Sequence, residues 1–429
     1  VGEAFGKKWG FLAIWLQWIE STIWFPTVLT FAAVSLAFMG PGQRWDEALA
    51  ANKWYVLIVV LCVYWAATLL NLRGMKTSAG VTKWGTIIGT IVPGAILILL
   101  GLGYWAGGNP ILLDMSWDKL VPDMSNFNNL VLAASIFLFY AGMEMSAVHV
   151  KDVNNPGRNY PLAILISAII TVLIFVLGTL AIGFIIPNSQ INLVQSLLIT
   201  YDSYFSFFGL GWMNWILALA LAVGVLAQVT AWVGGPSKGL YQVGLAGNLP
   251  PVMQKRNKNN VQMGILLIQG GIVTLLSIMF VIMPSVQSAY QIISQLTIIL
   301  YLIMYMLMFA SGIYLRYREP NTPRTFRIPG GRTFGMWVVG GLGLLASLAA
   351  FLVSFIPPNQ ITVGSSTMYV LLLVVGTFIF AGIPFIIHAM AKPSWKRPVD
   401  PEDAFEPFGW EKSNGSHSAA TPSHSISHE

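Results

Sequence analysis

Two carboxylates, Glu20 and Glu144, stand inside apolar stretches long enough to cross a bilayer, and no other acidic side chain does so. A carboxylate at membrane depth is costly, so such residues ordinarily line a path for a substrate or an ion. Glu20 lies roughly 18 Å of helix beyond Lys8, near mid-bilayer, with Trp15, Trp18 and Trp24 as neighbours. It could hold a proton or balance the charge of an amine. The plainer alternative is a neutral acid bonded to a neighbouring helix. Glu144 closes the run Phe139-Tyr140-Ala141-Gly142-Met143-Glu144. Gly142 weakens a helix interior and permits close backbone approach, and transporters place broken helices at the midplane, where freed backbone groups bind substrate. Only about 10 Å of helix separates Glu144 from Lys151, so a salt bridge or a gate competes there with direct substrate contact.

Other polar residues in apolar surroundings are Gln228 and Thr230, just ahead of Trp232, and the pair Tyr301 and Tyr305. The tyrosines are four residues apart and share one helix face. Core packing explains such a pair as readily as a binding wall does. Met304, Met306 and Met308 read as adaptable core filler. His149 and Asp152 form an acid/base pair or, more simply, cap a span at the membrane edge. Nothing resembles a phosphate-cradling Gly-x-x-x-x-Gly-Lys-Ser/Thr loop, a His-Glu-x-x-His or Cys/His metal cluster, or a nucleophile elbow. The expectation is therefore no enzyme, no cofactor and no metal.

The elements that must hold these residues are ten apolar spans, at about 9–39, 54–71, 85–107, 130–149, 162–186, 209–235, 263–283, 290–315, 335–357 and 368–391. Each approaches the roughly 20 residues needed to cross the hydrocarbon core. Pro26 within the overlong first span predicts tilt or a kink rather than two spans. The chain is 55% hydrophobic and only 9% charged, against about 25% charged in soluble domains. The net charge of +6 is scattered over short loops, without the continuous basic face that nucleic acid requires. Lys and Arg concentrate on one side of the membrane, with only Arg44, Lys53 and Lys119 opposite, which predicts that both ends of the chain are cytoplasmic. The single cysteine, Cys62, rules out an internal disulfide. Residues 187–208 form a loop amphipathic enough to lie along the outer surface. Residues 1–392 read as a membrane domain. Residues 393–429 read as a polar cytoplasmic tail, disordered by composition, rich in Ser and Pro and holding His417, His424 and His428.

Particular stretches then look familiar. Met143 to Val150 and Asn154-Asn155-Pro156-Gly157-Arg158-Asn159-Tyr160-Pro161-Leu162-Ala163 resemble the amino acid–polyamine–organocation superfamily. Gly224-Val225-Leu226-Ala227, Trp232, Gly235-Pro236-Ser237-Lys238-Gly239-Leu240-Tyr241 and Arg324-Thr325-Phe326-Arg327-Ile328-Pro329-Gly330-Gly331 are similar to the glutamate/GABA antiporter family within it. The resemblance runs from about Trp9 to Lys392. It implies an all-α polytopic fold of two inverted five-helix repeats plus two helices. Of these the chain supplies the third to the twelfth, so the first two are expected to be missing and a chain beginning at Val1 is expected not to transport.

The resemblance also implies roles. Tyr140, Gly142 and Glu144 match the broken sixth helix and its gating acid, Trp232 the aromatic that occludes the pocket, and Tyr301 and Tyr305 the tyrosines of the tenth helix. Two positions depart from the family pattern: Gln228 stands where the pattern has Glu, and Glu20 where it has Gln. Glu20, Glu144 and Gln228 are thus the candidates for proton or charge coupling, and because the third and eighth helices are neighbours in this fold, one carboxylate is expected to have moved across the same wall. The function implied is an inner-membrane antiporter that exchanges an amino acid for a related amine by alternating access. Its partners are small amino acids or amines and the lipid bilayer, with no nucleic acid and a homodimer left open. A proton-coupled symporter or permease is the alternative within transport. An ion channel or structural membrane subunit is the alternative outside it.

Overall fold

The computed structural model describes residues 1–397, apart from 41, 117–122, 124, 127, 132, 134, 135, 137–140, 145, 146, 148–152, 325, 331, 332 and 359–362. Nine described helices are long and apolar enough to cross a membrane. Among the described residues there is no strand. In chain order the helices are α1 (Lys7–Ala37), α2 (Lys53–Leu72), α3 (Ala79–Ala106) and α4 (Pro156–Ile185). A shorter α5 (Ser196–Phe207) follows. The rest are α6 (Gly211–Asn248), α7 (Met263–Ile282), α8 (Val286–Arg318), α9 (Phe334–Val353) and α10 (Ser366–Ala389). The span expected at 130–149 falls largely outside the described residues.

Helix α1 is the centre of the bundle. It packs along α6 and α8, and also touches α2, α7 and α10. It runs unbroken through Pro26. A helix in lipid must satisfy its own polar groups, and the hydroxyls of Ser21, Thr22, Thr27, Thr30 and Ser35 all donate to carbonyls three or four residues back. Side-chain caps fix other starts. Asn52 accepts from the N–H groups of Trp54 and Tyr55 at 3.0 and 3.2 Å, opening α2. Ser285 accepts from Ser288 N–H at 3.1 Å, opening α8.

Helix α6 outruns the expected span, which ended at Gly235 because Pro236 follows. Proline lacks the N–H that would bond the Trp232 carbonyl, yet the helix continues to Asn248. Neighbouring side chains anchor its backbone: Asn71 Nδ2 donates to the Thr230 carbonyl at 2.9 Å and Gln262 Nε2 to the Gly234 carbonyl at 3.3 Å. Opposite this segment, α3 contains a π-helical turn at Ile87–Ile91. There Gly89 meets Gly224 of α6 backbone to backbone, leaving no space for a Cβ on either.

On the side of the short helix Gln43–Ala50, α5 lies against α4, α6 and α3, and Gln195 Nε2 reaches the Glu47 carbonyl at 3.4 Å. The buried face of α5 includes Leu198, Tyr201, Tyr204 and Phe205, as the amphipathic pattern of this loop predicts. At the other side residues 393–397 stay docked on the end of α6: Gln254 Nε2 donates to the Trp395 carbonyl at 2.9 Å, and Arg397 N–H to the Leu245 carbonyl at 3.1 Å.

Candidate functional site

The chain turns at Ala141–Gly142 and is 3₁₀-helical at Met143–Glu144. Gly142 has φ +102°, a left-handed conformation that costs other residues dearly. A Cβ there would also fall 2.8 Å from the Trp232 ring carbons Cη2 and Cζ2. Glycine is thus required twice, by the backbone angle and by the indole lying against it.

The turn folds the Glu144 side chain back on its own backbone. Gly142 N–H donates to Glu144 Oε2 at 3.2 Å, and Tyr305 OH donates to the same oxygen at 2.8 Å. Tyr301 OH donates to Oε1. Three donors therefore occupy most of what an ionised carboxylate can accept. The two phenol rings are stacked, with centroids 4.8 Å apart and planes 17° from parallel. One helical turn of α8 separates them, so both reach the same acid.

Glu20 enters from the opposite wall. It is 2% exposed, and its Oε1 has no hydrogen-bond partner among the described residues. It lies within electrostatic reach of Glu144 and of Tyr301. Trp24, one turn further along the same face of α1, packs its ring on Trp232 with centroids 5.6 Å apart. An aromatic bridge from α1 to α6 thus ends on the Gly142 turn.

The structure therefore brings together Glu20, Gly142, Glu144, Trp232, Tyr301 and Tyr305. Tyr140 lies outside the described residues, as do His149 and Asp152. Gln228 is not gathered in: it is exposed, and no hydrogen bond to it is seen among the described residues. Trp24 is a member that the sequence reading named only as an aromatic neighbour; its spacing of four from Glu20 was the available signal. A second buried network went unread. Trp18 Nε1 and Ser237 Oγ both donate to Gln269 Oε1, at 3.2 and 2.8 Å, tying α1, α6 and α7 together beneath the site.

Comparison with known proteins places this geometry. The model of the family described as amino acid permease matches residues 1–380. The chain belongs to the amino acid permease family. An uncharacterized transporter of Legionella pneumophila is 37% identical to this permease over 386 residues, which cover 90% of this chain and 82% of that one. A glutamate/gamma-aminobutyrate antiporter of Lactococcus lactis is 32% identical over 393 residues, 91% of this chain and 77% of the relative. A probable agmatine/putrescine antiporter of the same species is more distant, at 23% over 334 residues, 77% of this chain and 68% of that one. The permease is thus a multi-pass membrane transporter and not an enzyme, and its apolar helices meet the lipid bilayer.

Proposed function

We propose that this permease is an inner-membrane antiporter that exchanges an amino acid for a related amine, in the manner of the glutamate/gamma-aminobutyrate antiporters it resembles. The observation that carries the reading is the clasp of Glu144 by Tyr301, Tyr305 and the Gly142 N–H at the Ala141–Gly142 turn. A substrate carboxylate would meet backbone N–H groups freed at the turn. Trp232 would cover the pocket on one side, and release of Glu144 from the tyrosines would accompany its opening. Residues 1–392 would form the transporting domain, and 393–429 a cytoplasmic tail. The excess of Lys and Arg on one set of loops supports cytoplasmic placement of both chain ends.

Exchange in proteoliposomes tests the proposal, using the full gene product. Labelled glutamate or GABA should enter only vesicles loaded with a counter-substrate. Uptake into empty vesicles driven by a pH gradient would replace antiport with proton-coupled symport. Conductance without saturable exchange would replace both with a channel.

A further inference from the structure

The two acids of the site are not equivalent. Both oxygens of Glu144 are engaged by donors from the protein itself. Glu20 is at least as deeply enclosed, yet it keeps an oxygen with no partner among the described residues. A buried polar group without a partner is costly, and a buried charge more so. The protein offers no obvious cation to supply that partner. Residues 9–43 of α1 and its loop, 54–72 of α2, 211–237 of α6, 263–282 of α7 and 286–315 of α8 contain no Lys, Arg or His. Among the described residues these stretches bring acids, phenols, indoles and amides and no positive charge, and α10, which also touches α1, has only His388, in its last turn.

We infer that Glu20 is the ammonium-binding residue of this carrier, and that it selects substrates with a distal amine, such as ω-amino acids and diamines, over acidic amino acids. The inference rests on the proposed transport reading and deepens it. A substrate seated at the Gly142 turn, once Glu144 has left that N–H, extends its amine end across the Trp24–Trp232 bridge toward α1. An ammonium there gains a charge-assisted bond to the open oxygen of Glu20. The side-chain carboxylate of glutamate, in the same place, brings acceptor oxygens and no donor to the open oxygen of Glu20. The indole faces of Trp24 and Trp232 add a surface that favours a cation. Discrimination therefore works in both directions, by attraction of the amine and repulsion of the acid.

The test is competitive exchange at neutral pH in proteoliposomes, with labelled GABA outside and unlabelled GABA, putrescine or glutamate as competitors, for the parent protein and Glu20→Gln. The parent should be inhibited by putrescine at lower concentration than by glutamate. In Glu20→Gln the apparent affinity for putrescine should fall by at least about thirtyfold, the loss expected when one partner of a buried charge pair is removed, while that for glutamate should rise. If Glu20→Gln does not assemble, Glu20→Asp should keep the order of preference with weaker amine binding. An unchanged putrescine-to-glutamate ratio in Glu20→Gln overturns the inference. So does a parent that prefers glutamate, or a variant whose only change is the loss of pH dependence, which would make Glu20 a proton site. Absence of exchange with every loaded counter-substrate would instead defeat the transport reading itself, so the two failures are distinguishable.

Discussion

Helices α1 and α4 have nearly the same length and opposite fates. In α1, 78% of the most apolar stretch is buried; in α4 none of it is. The buried helix is the less hydrophobic of the two and contains Glu20, four tryptophans and a row of hydroxyls. The exposed one is almost purely aliphatic between Leu162 and Val176. In water the ranking would be reversed. In a bilayer the solvent is itself apolar, so hydrophobicity alone does not drive a helix to the centre, and packing and polar groups do. The helix with the mixed composition is therefore the one to search for chemistry.

The largest effect expected from this contrast is on transport. Glu144→Gln should lower exchange by about 100-fold or more, since it replaces one of the two oxygens that accept from two phenols and a backbone N–H. Ile170→Ala on the exposed face of α4 should leave exchange intact; a large loss there would break the comparison. Gly142→Ala should follow, with a strained backbone costing about 1–2 kcal/mol and a methyl driven into Trp232. A fall of about tenfold in exchange, together with altered tryptophan fluorescence, is the expected reading. Tyr305→Phe removes one donor and keeps the ring, so exchange should drop by roughly tenfold or less.

Stability sharpens the same contrast. Leu16 of α1 is fully buried and Ile170 of α4 is half exposed. Leu16→Ala should cost about 2–4 kcal/mol, and Ile170→Ala much less, as read from thermal unfolding in detergent.

The smallest effect is a response to pH outside the membrane. Burial, with Glu47 nearby, raises Asp202 above the ordinary aspartate range, against the hydrogen bond from Asn214. Burial likewise raises Asp46, with Asp202 and Glu47 adding to it against a bond from the Gly42 backbone. The folded state therefore favours the protonated acids. Their contribution is complete below the unfolded aspartate value and is lost as pH rises through the raised ones. Amide exchange of residues 196–207, corrected for its intrinsic pH dependence, should show α5 better protected in acid, and Asp202→Asn should flatten that response.

Much of this was legible in the sequence, because the constraint that a spanning helix satisfies its own backbone makes long apolar runs unambiguous. Glu144, Trp232, Tyr301 and Tyr305 were found by motif, and Glu20 by its depth. The end of α6 was misjudged, since the hydrogen bonds from Asn71 and Gln262 that steady it around Pro236 come from residues far away in sequence. Gln228 was expected beside Glu20, on the same wall. It sits one turn from Trp232 but is exposed, and no spacing rule reveals which flank of a shared helix face a neighbour will cover. The Trp18–Gln269–Ser237 network was invisible for a similar reason, being assembled from three helices.

The contact between Gly89 and Gly224 has a mechanical corollary. Two rods touching at their backbones, with no side chain between them to act as a bearing, cannot slide past each other without first separating. Helices α3 and α6 are in this sense welded at one point. Any cycle of opening and closing must then swing them together, carrying Trp232, about two turns beyond Gly224, along with them.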